Sequence, residues 1–133
     1  MAKHQSNSKK NQFPTEHEEQ VSLFKWADQM SGEYPALKLL FAIPNGSYKS
    51  ISAARRFSAE GLRPGVPDIC LPVASRQCHA LYIEMKRIKG GRISPEQKAW
   101  INMLTRAGNL AVVCYGAASA KSVIMEYLGI RKS

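Results

Sequence analysis

Seven residues, ALYIEMK (80–86), constrain the fold of this chain more than any other stretch. A strand sends successive side chains to opposite faces. Leu81, Ile83 and Met85 then share one face, and Tyr82, Glu84 and Lys86 share the other. The first face reads as core. The second sets a carboxylate beside an ammonium and runs into the basic, glycine-containing loop RIKGGR. Such a face is either a plain ion pair or half of an active site.

The punctuation along the chain supplies the layers around this strand. Thr15 with Glu18 three residues on is a capping-box signature, so TEHEEQVSLFKWADQM predicts a helix from about 16 to 30, ended by Gly32 and Pro35. KLLFAIPNG predicts a strand stopped by a Pro44-Asn45-Gly46 turn. SISAARRFSAEG has helical composition and closes at Gly61, a C′ glycine. DICLPV (68–73) predicts a second strand, with Ile69, Leu71 and Val73 on one face and Asp68 on the other, and ASRQCH reads as a loop. SPEQKAWINMLTRAG has helix punctuation at both ends: Ser94 as N-cap, Pro95 in the first helical position, Gln97 completing a capping box and Gly108 closing. Trp100, Ile101 and Leu104 are its expected core residues. NLAVVCYG predicts a buried strand, and SAKSVIMEYLG a last helix with Val123, Ile124, Tyr127 and Leu128 turned inward. The order helix, strand, helix, strand, strand, helix, strand, helix predicts an α/β domain with one mixed sheet flanked by helices. Its 133 residues fit one domain with a modest core.

The formal net charge of +9 implies an anionic partner, nucleic acid first and an anionic membrane surface second. No run of about 18 apolar residues exists, which argues against a membrane span. The polar start MAKHQSNSKKNQ does not read as a secretory signal, and residues 1–14 are expected to form a disordered basic tail adding phosphate contacts. Cys70, Cys78 and Cys114 are odd in number and scattered, and His4, His17 and His79 pair with none of them at ligand spacing. Neither a disulfide framework nor a zinc site is predicted, and a reduced cytoplasmic protein is the simplest reading.

Suppose the strands 68–73 and 80–86 form an antiparallel hairpin. Pairing residues whose numbers sum to 152–154 sets Asp68 opposite Glu84 or Lys86 on the same face. Directly opposed residues have Cβ atoms roughly 5 Å apart. Two carboxylates this close repel unless a cation lies between them. Oxygen donors of this kind suit a hard divalent cation such as Mg²⁺ or Mn²⁺. The bland reading makes Asp68 a turn residue and leaves Glu84 paired with Lys86 in solvent. Two features favour a site. PGVPD fixes the backbone just before Asp68, and Arg63, Arg87, Lys89 and Arg92 surround the pair with positive charge.

GVPD, then IEMK with Glu84 sixteen positions after Asp68, resembles the Asp…Glu-x-Lys signature of the PD-(D/E)xK nucleases. IPNGSYKS, AEGLRPGVPDICLPVA and LYIEMKRIKGGRISPEQKAWINMLTRAGNLAVVCYG narrow the resemblance to the VRR-NUC branch, over about residues 15–128. That branch occurs alone in phage and bacterial proteins and at the C-terminus of the Fanconi-associated nuclease. The resemblance implies a restriction-endonuclease-like core and a metal-dependent DNA endonuclease in the cytoplasm of a bacterial or phage-infected host cell.

The same resemblance implies the roles. Asp68 and Glu84 would bind Mg²⁺ or Mn²⁺ with the backbone carbonyl of Met85, and Lys86 would be the catalytic lysine. Glu16 matches the family's helix glutamate, a further metal ligand, and Gln20 its glutamine. Glu19 stands where an apolar residue is more usual, so Glu16 and Glu19 both remain open for the metal-facing place. Gln97 would sit beside the site as well as capping its helix. Asn45 is expected to face DNA or support the site, and Arg55, Arg56, Arg63, Arg87, Lys89 and Arg92 to contact phosphates. Stand-alone members resemble Holliday-junction resolvases, which favours a homodimer acting on branched or four-way DNA. The competing readings are a non-catalytic DNA-binding module on the same fold and a basic RNA-associated protein. The complete Asp68, Glu84 and Lys86 set argues against the first, and 8% aromatic residues against the second.

Overall fold

The computed structural model describes residues 12–44 and 50–130. Helix α1 (Glu16–Met30) starts at Thr15, whose side chain accepts from the Glu18 N–H while Glu18 reaches back to the Thr15 N–H. A 3₁₀ turn (Pro35–Leu39) leads to the two-residue strand β1 (Phe41–Ala42). Helix α2 (Ile51–Ala59) is capped by the Ser50 hydroxyl. Strands β2 (Ile69–Leu71) and β3 (Leu81–Lys86) follow, then α3 (Pro95–Arg106), β4 (Leu110–Tyr115) and α4 (Ala117–Leu128).

The sheet order is β1-β2-β3-β4, antiparallel except for the parallel β3–β4 pair. The order of elements is the one the sequence predicts, with the 3₁₀ turn added, and the sheet is mixed. Ile69 pairs with Ile83, Cys70 with Tyr82 and Leu71 with Leu81, a sum of 152 throughout. One face carries Ile69, Leu71, Leu81, Ile83 and Met85, all at 0% exposure. Leu23 and Ala27 of α1 and Ala120, Ile124 and Tyr127 of α4 complete this core. Cys70 and Cys114 are small buried residues, as expected.

Several expectations are corrected. The stretch read as one strand from Lys38 begins as the 3₁₀ turn, because Pro35 opens a helical turn that runs to Leu39. Strand β2 stops at Leu71 because Pro72 brings no N–H to continue a ladder. ASRQCH is the expected connecting loop, drawn into a tight turn: the Ser75 and Cys78 backbones exchange hydrogen bonds, with Arg76 and Gln77 at φ 51° and 66° between them. Trp100, Ile101 and Leu104 are only half-buried, and α3 has no buried residue. The reason is placement: α3 packs on β4 at the sheet face that bears the charged side chains, while the apolar layer forms under the other face. β4 is an edge strand, so only Ala111 and Cys114 are buried along it. Val123 and Leu128 sit at the rim of the core beside fully buried Ile124 and Tyr127. Among the described residues no helix is long and apolar enough to cross a membrane.

Candidate active site

Asp68 arrives at the sheet from PGVPD. Gly65 has φ +90°, and a Cβ there would lie 2.7 Å from the backbone of Glu96. Only glycine lets this loop rest on the first turn of α3. The segment that delivers Asp68 and the turn that delivers Gln97 are therefore packed as one unit. The Asp68 carbonyl accepts from the Ile43 N–H at 2.7 Å, and its Oδ2 accepts from the Met85 N–H at 2.8 Å. Asp68 is thus held from both neighbouring strands.

The observed register, extended by one pair, sets Asp68 opposite Glu84. Glu84 is 1% exposed. Its Oε2 accepts from Gln97 Nε2 at 3.0 Å and lies 3.5 Å from Lys86 Nζ. Its Oε1 is buried and has no hydrogen-bond partner among the described residues. Burial first, then the charge and close approach of Asp68, push the Glu84 carboxyl up to about 8, with Lys86 pulling the other way. A carboxylate taken out of water next to another holds its proton. Glu84 and Lys86 do meet, at 3.5 Å, but in a buried setting rather than in solvent.

Gln97 performs both tasks weighed for it. Its Oε1 accepts from the Ser94 N–H at 2.9 Å, closing the capping box, while its amide donates to Glu84. The Lys86 carbonyl accepts from the Gly116 N–H beyond β4. Successive carbonyls along a strand point to opposite sides, so the Met85 carbonyl points to the flank where Asp68 stands.

Helix α1 brings Glu16, not Glu19, within electrostatic reach of this cluster. The half-buried Glu16 carboxyl is raised by burial and by Asp68, and lowered by Lys86 and Arg87, so it lies within their electrostatic reach. Glu19 turns to α4 instead, where its Oε1 accepts from the Ala117 N–H at 2.9 Å. Gln20 is half-buried and makes no hydrogen bond to the carboxylate pair. With Glu16, Val21, Phe24 and Lys25 it lines a cavity of about 540 Å³.

The basic residues fall into two groups. Arg87, Lys89 and Arg92 lie on the exposed loop after β3, with Lys89 5.6 Å over the Phe13 ring. Arg55 and Arg56 are exposed on α2, where Arg56 faces Glu60 at 3.7 Å. Arg63 donates to the Ser58 and Leu62 carbonyls and closes that helix. Asn45 lies outside the described residues.

Among the described residues no three His, Cys, Asp or Glu side chains converge to cage a metal ion. Two carboxylates, one with an unpartnered buried oxygen, and an adjacent main-chain carbonyl nonetheless fit a hard cation. Mg²⁺ in particular takes one or two carboxylates and leaves its other positions to water and phosphate. Sequence reasoning missed Gly65, whose contact joins the Asp68 and Gln97 segments, and the inward turn of Glu19. The second had a signal: Glu19, Leu23 and Ala27 recur every four residues, and all three are buried.

The sequence matches no curated protein sequence. A solved structure of a VRR_NUC domain protein superposes with a TM-score of 0.77 at 28% sequence identity, covering 91% of this chain and 93% of that chain. The family model of the VRR-NUC domain matches residues 15–118, which span the whole carboxylate cluster and the helices that deliver Glu16 and Gln97. By that match, and by a sheet that sets Asp68 opposite Glu84 with Lys86 beside them, the chain belongs to the VRR-NUC family, a nuclease-type domain.

Proposed function

We propose that the chain is a Mg²⁺- or Mn²⁺-dependent DNA endonuclease that hydrolyses phosphodiester bonds. The observation that carries this reading is the buried Glu84 carboxyl, close to that of Asp68, with Oε2 3.5 Å from Lys86 Nζ and Oε1 without a hydrogen-bond partner among the described residues. A buried polar atom without a partner needs an explanation, and a cation shared with Asp68 supplies one. Asp68, Glu84 and the Met85 carbonyl would hold the ion, with Glu16 as an outer ligand. When bound, such an ion polarises the scissile phosphate and lowers the pKa of a bound water.

The chain's own residues do the rest. Gln97 fixes the rotamer of Glu84 through the 3.0 Å contact to Oε2. Lys86, 10% exposed on the same strand face, orients the attacking water and neutralises charge developing on the phosphate. Gln20 is the candidate for positioning water beside Glu16. Arg87, Lys89 and Arg92 draw the backbone of DNA over the cluster, with Arg55, Arg56 and Arg63 as a second phosphate-contacting group. A homodimer would present two such sites to a two-fold substrate, which favours branched DNA with four-way junctions first. Residues 1–14 would add phosphate contacts as a basic tail in a cytoplasmic protein.

The test is incubation with labelled four-way junction, duplex and single-stranded DNA, with Mn²⁺ or with EDTA. Cleavage of the junction only with Mn²⁺, lost in Asp68→Ala, is the expected result. Binding without cleavage in Mn²⁺ would replace this reading with the non-catalytic module.

A further inference from the structure

We propose that Glu19 is a positioning residue that holds the Glu16 end of α1 in register with the Lys86 end of β3. The inference rests on the reading of Glu16 and Lys86 as site residues. Glu19 Oε1 accepts from the Ala117 N–H at 2.9 Å, a contact that spans 98 positions of the chain. Gly116, the residue before it, donates its own N–H to the Lys86 carbonyl at 2.9 Å. One carboxylate on α1 is therefore two hydrogen bonds from the backbone of the lysine. On its own helix Glu19 is one turn from Glu16, so the same contact sets the height of Glu16 over the sheet.

The local chemistry argues that this contact ties elements together rather than merely finishing a helix. Helix α4 has no side-chain cap of its own, because Gly116 occupies that position at φ +94°. A Cβ on Gly116 would lie 2.8 Å from Ile88 and 3.5 Å from Glu19 Oε2. The glycine is thus the gap into which the basic loop after β3 and the α1 carboxylate both close. A serine or aspartate at position 116 is the common way to satisfy a helix N-terminus. Here the acceptor comes instead from a distant helix, and its second oxygen is left buried without a partner among the described residues. Burying such an oxygen is costly. The helix N-terminus compensates part of that cost by favouring negative charge.

The test uses the full chain with Glu19→Gln, Glu19→Met and Glu19→Asp, read by amide hydrogen exchange and by Mn²⁺-dependent DNA cleavage. Glu19→Gln keeps a carbonyl acceptor and is expected to stay close to the parent in both. Glu19→Met fills the same volume without an acceptor. It should raise exchange at Ala117 and Gly116 by about tenfold and lower kcat by about tenfold, the scale of one lost hydrogen bond, with DNA Kd unchanged. Glu19→Asp keeps the charge but withdraws the acceptor, so it covers the case of a Met variant that does not fold. The same joint change at Gly116 and in kcat supports the proposal. Faster exchange at Ala117 alone, with kcat unchanged, overturns it and leaves a plain helix cap. Loss of DNA binding in step with kcat also overturns it. A parent chain that cleaves no DNA in Mn²⁺ refutes the nuclease reading separately, while the Gly116 amide still decides the coupling.

Discussion

The two faces of the sheet are built from the same two central strands, β2 and β3, and behave as opposites. Ile69, Leu71, Leu81, Ile83 and Met85 are sealed between the sheet and helices α1 and α4, with no exposure at all. One residue along, Asp68 just before β2 and Glu84 and Lys86 on β3 form a charged cluster in which Glu84 and Lys86 are buried and one Glu84 oxygen has no hydrogen-bond partner among the described residues. The first face gains free energy from every contact. The second holds like charges together at a cost. The sealed face makes the fold stable enough to carry that cost, and α3 covers the charged face without an apolar layer of its own.

Substitutions on the charged face should break the comparison most visibly. Asp68→Ala, Glu84→Ala and Lys86→Ala are each expected to reduce cleavage by roughly two to three orders of magnitude. Folding and DNA binding should survive, as checked by circular dichroism and gel shift. Cleavage at the parent rate by any of the three would remove it from the site. On the sealed face, Ile83→Ala is expected to cost about 2–5 kcal/mol of stability in denaturant titration. Activity of the folded fraction should hold there, since the side chain faces away from the cluster.

A smaller effect separates the faces by pH. Glu84 has a folded pKa near 8 against an ordinary value of 4.5. The folded state therefore binds its proton more tightly than the unfolded state. The stabilisation is full below 4.5 and is lost as pH rises toward 8, so metal-free stability should fall across that window. The slope for one proton is at most about 1.4 kcal/mol per pH unit. Thermal melts should show it in the parent, and Glu84→Gln or added Mn²⁺ should flatten it. A flat profile in the metal-free parent would mean that Asp68 and Glu84 do not share a buried site. Smallest is Ser94→Ala, worth about 1 kcal/mol as a lost cap. Because Gln97 links that cap to Glu84, this variant should also lower cleavage several-fold, measured in the same assay.

The strand ALYIEMK showed its two faces through a period of two residues, a rule that acts between neighbours. Helix starts at Thr15 and Ser94 were legible for the same reason, since a capping box is written within four residues. The hairpin register, and with it the meeting of Asp68 and Glu84, followed once two strands and a short turn were recognised. Trp100, Ile101 and Leu104 were misjudged because their pattern is amphipathic whichever sheet face α3 covers.

Local chemistry in the sequence thus determined the elements, their order and the residues that could bear charge on one strand face. Tertiary structure alone decided what depends on distant neighbours. It brought Glu16 within electrostatic reach of Asp68 and Lys86, and it turned Glu19 toward the start of α4. It also left Glu84 Oε1 buried without a hydrogen-bond partner among the described residues. A helix presents both glutamates within one turn, and only the elements packed around it select which one reaches the site.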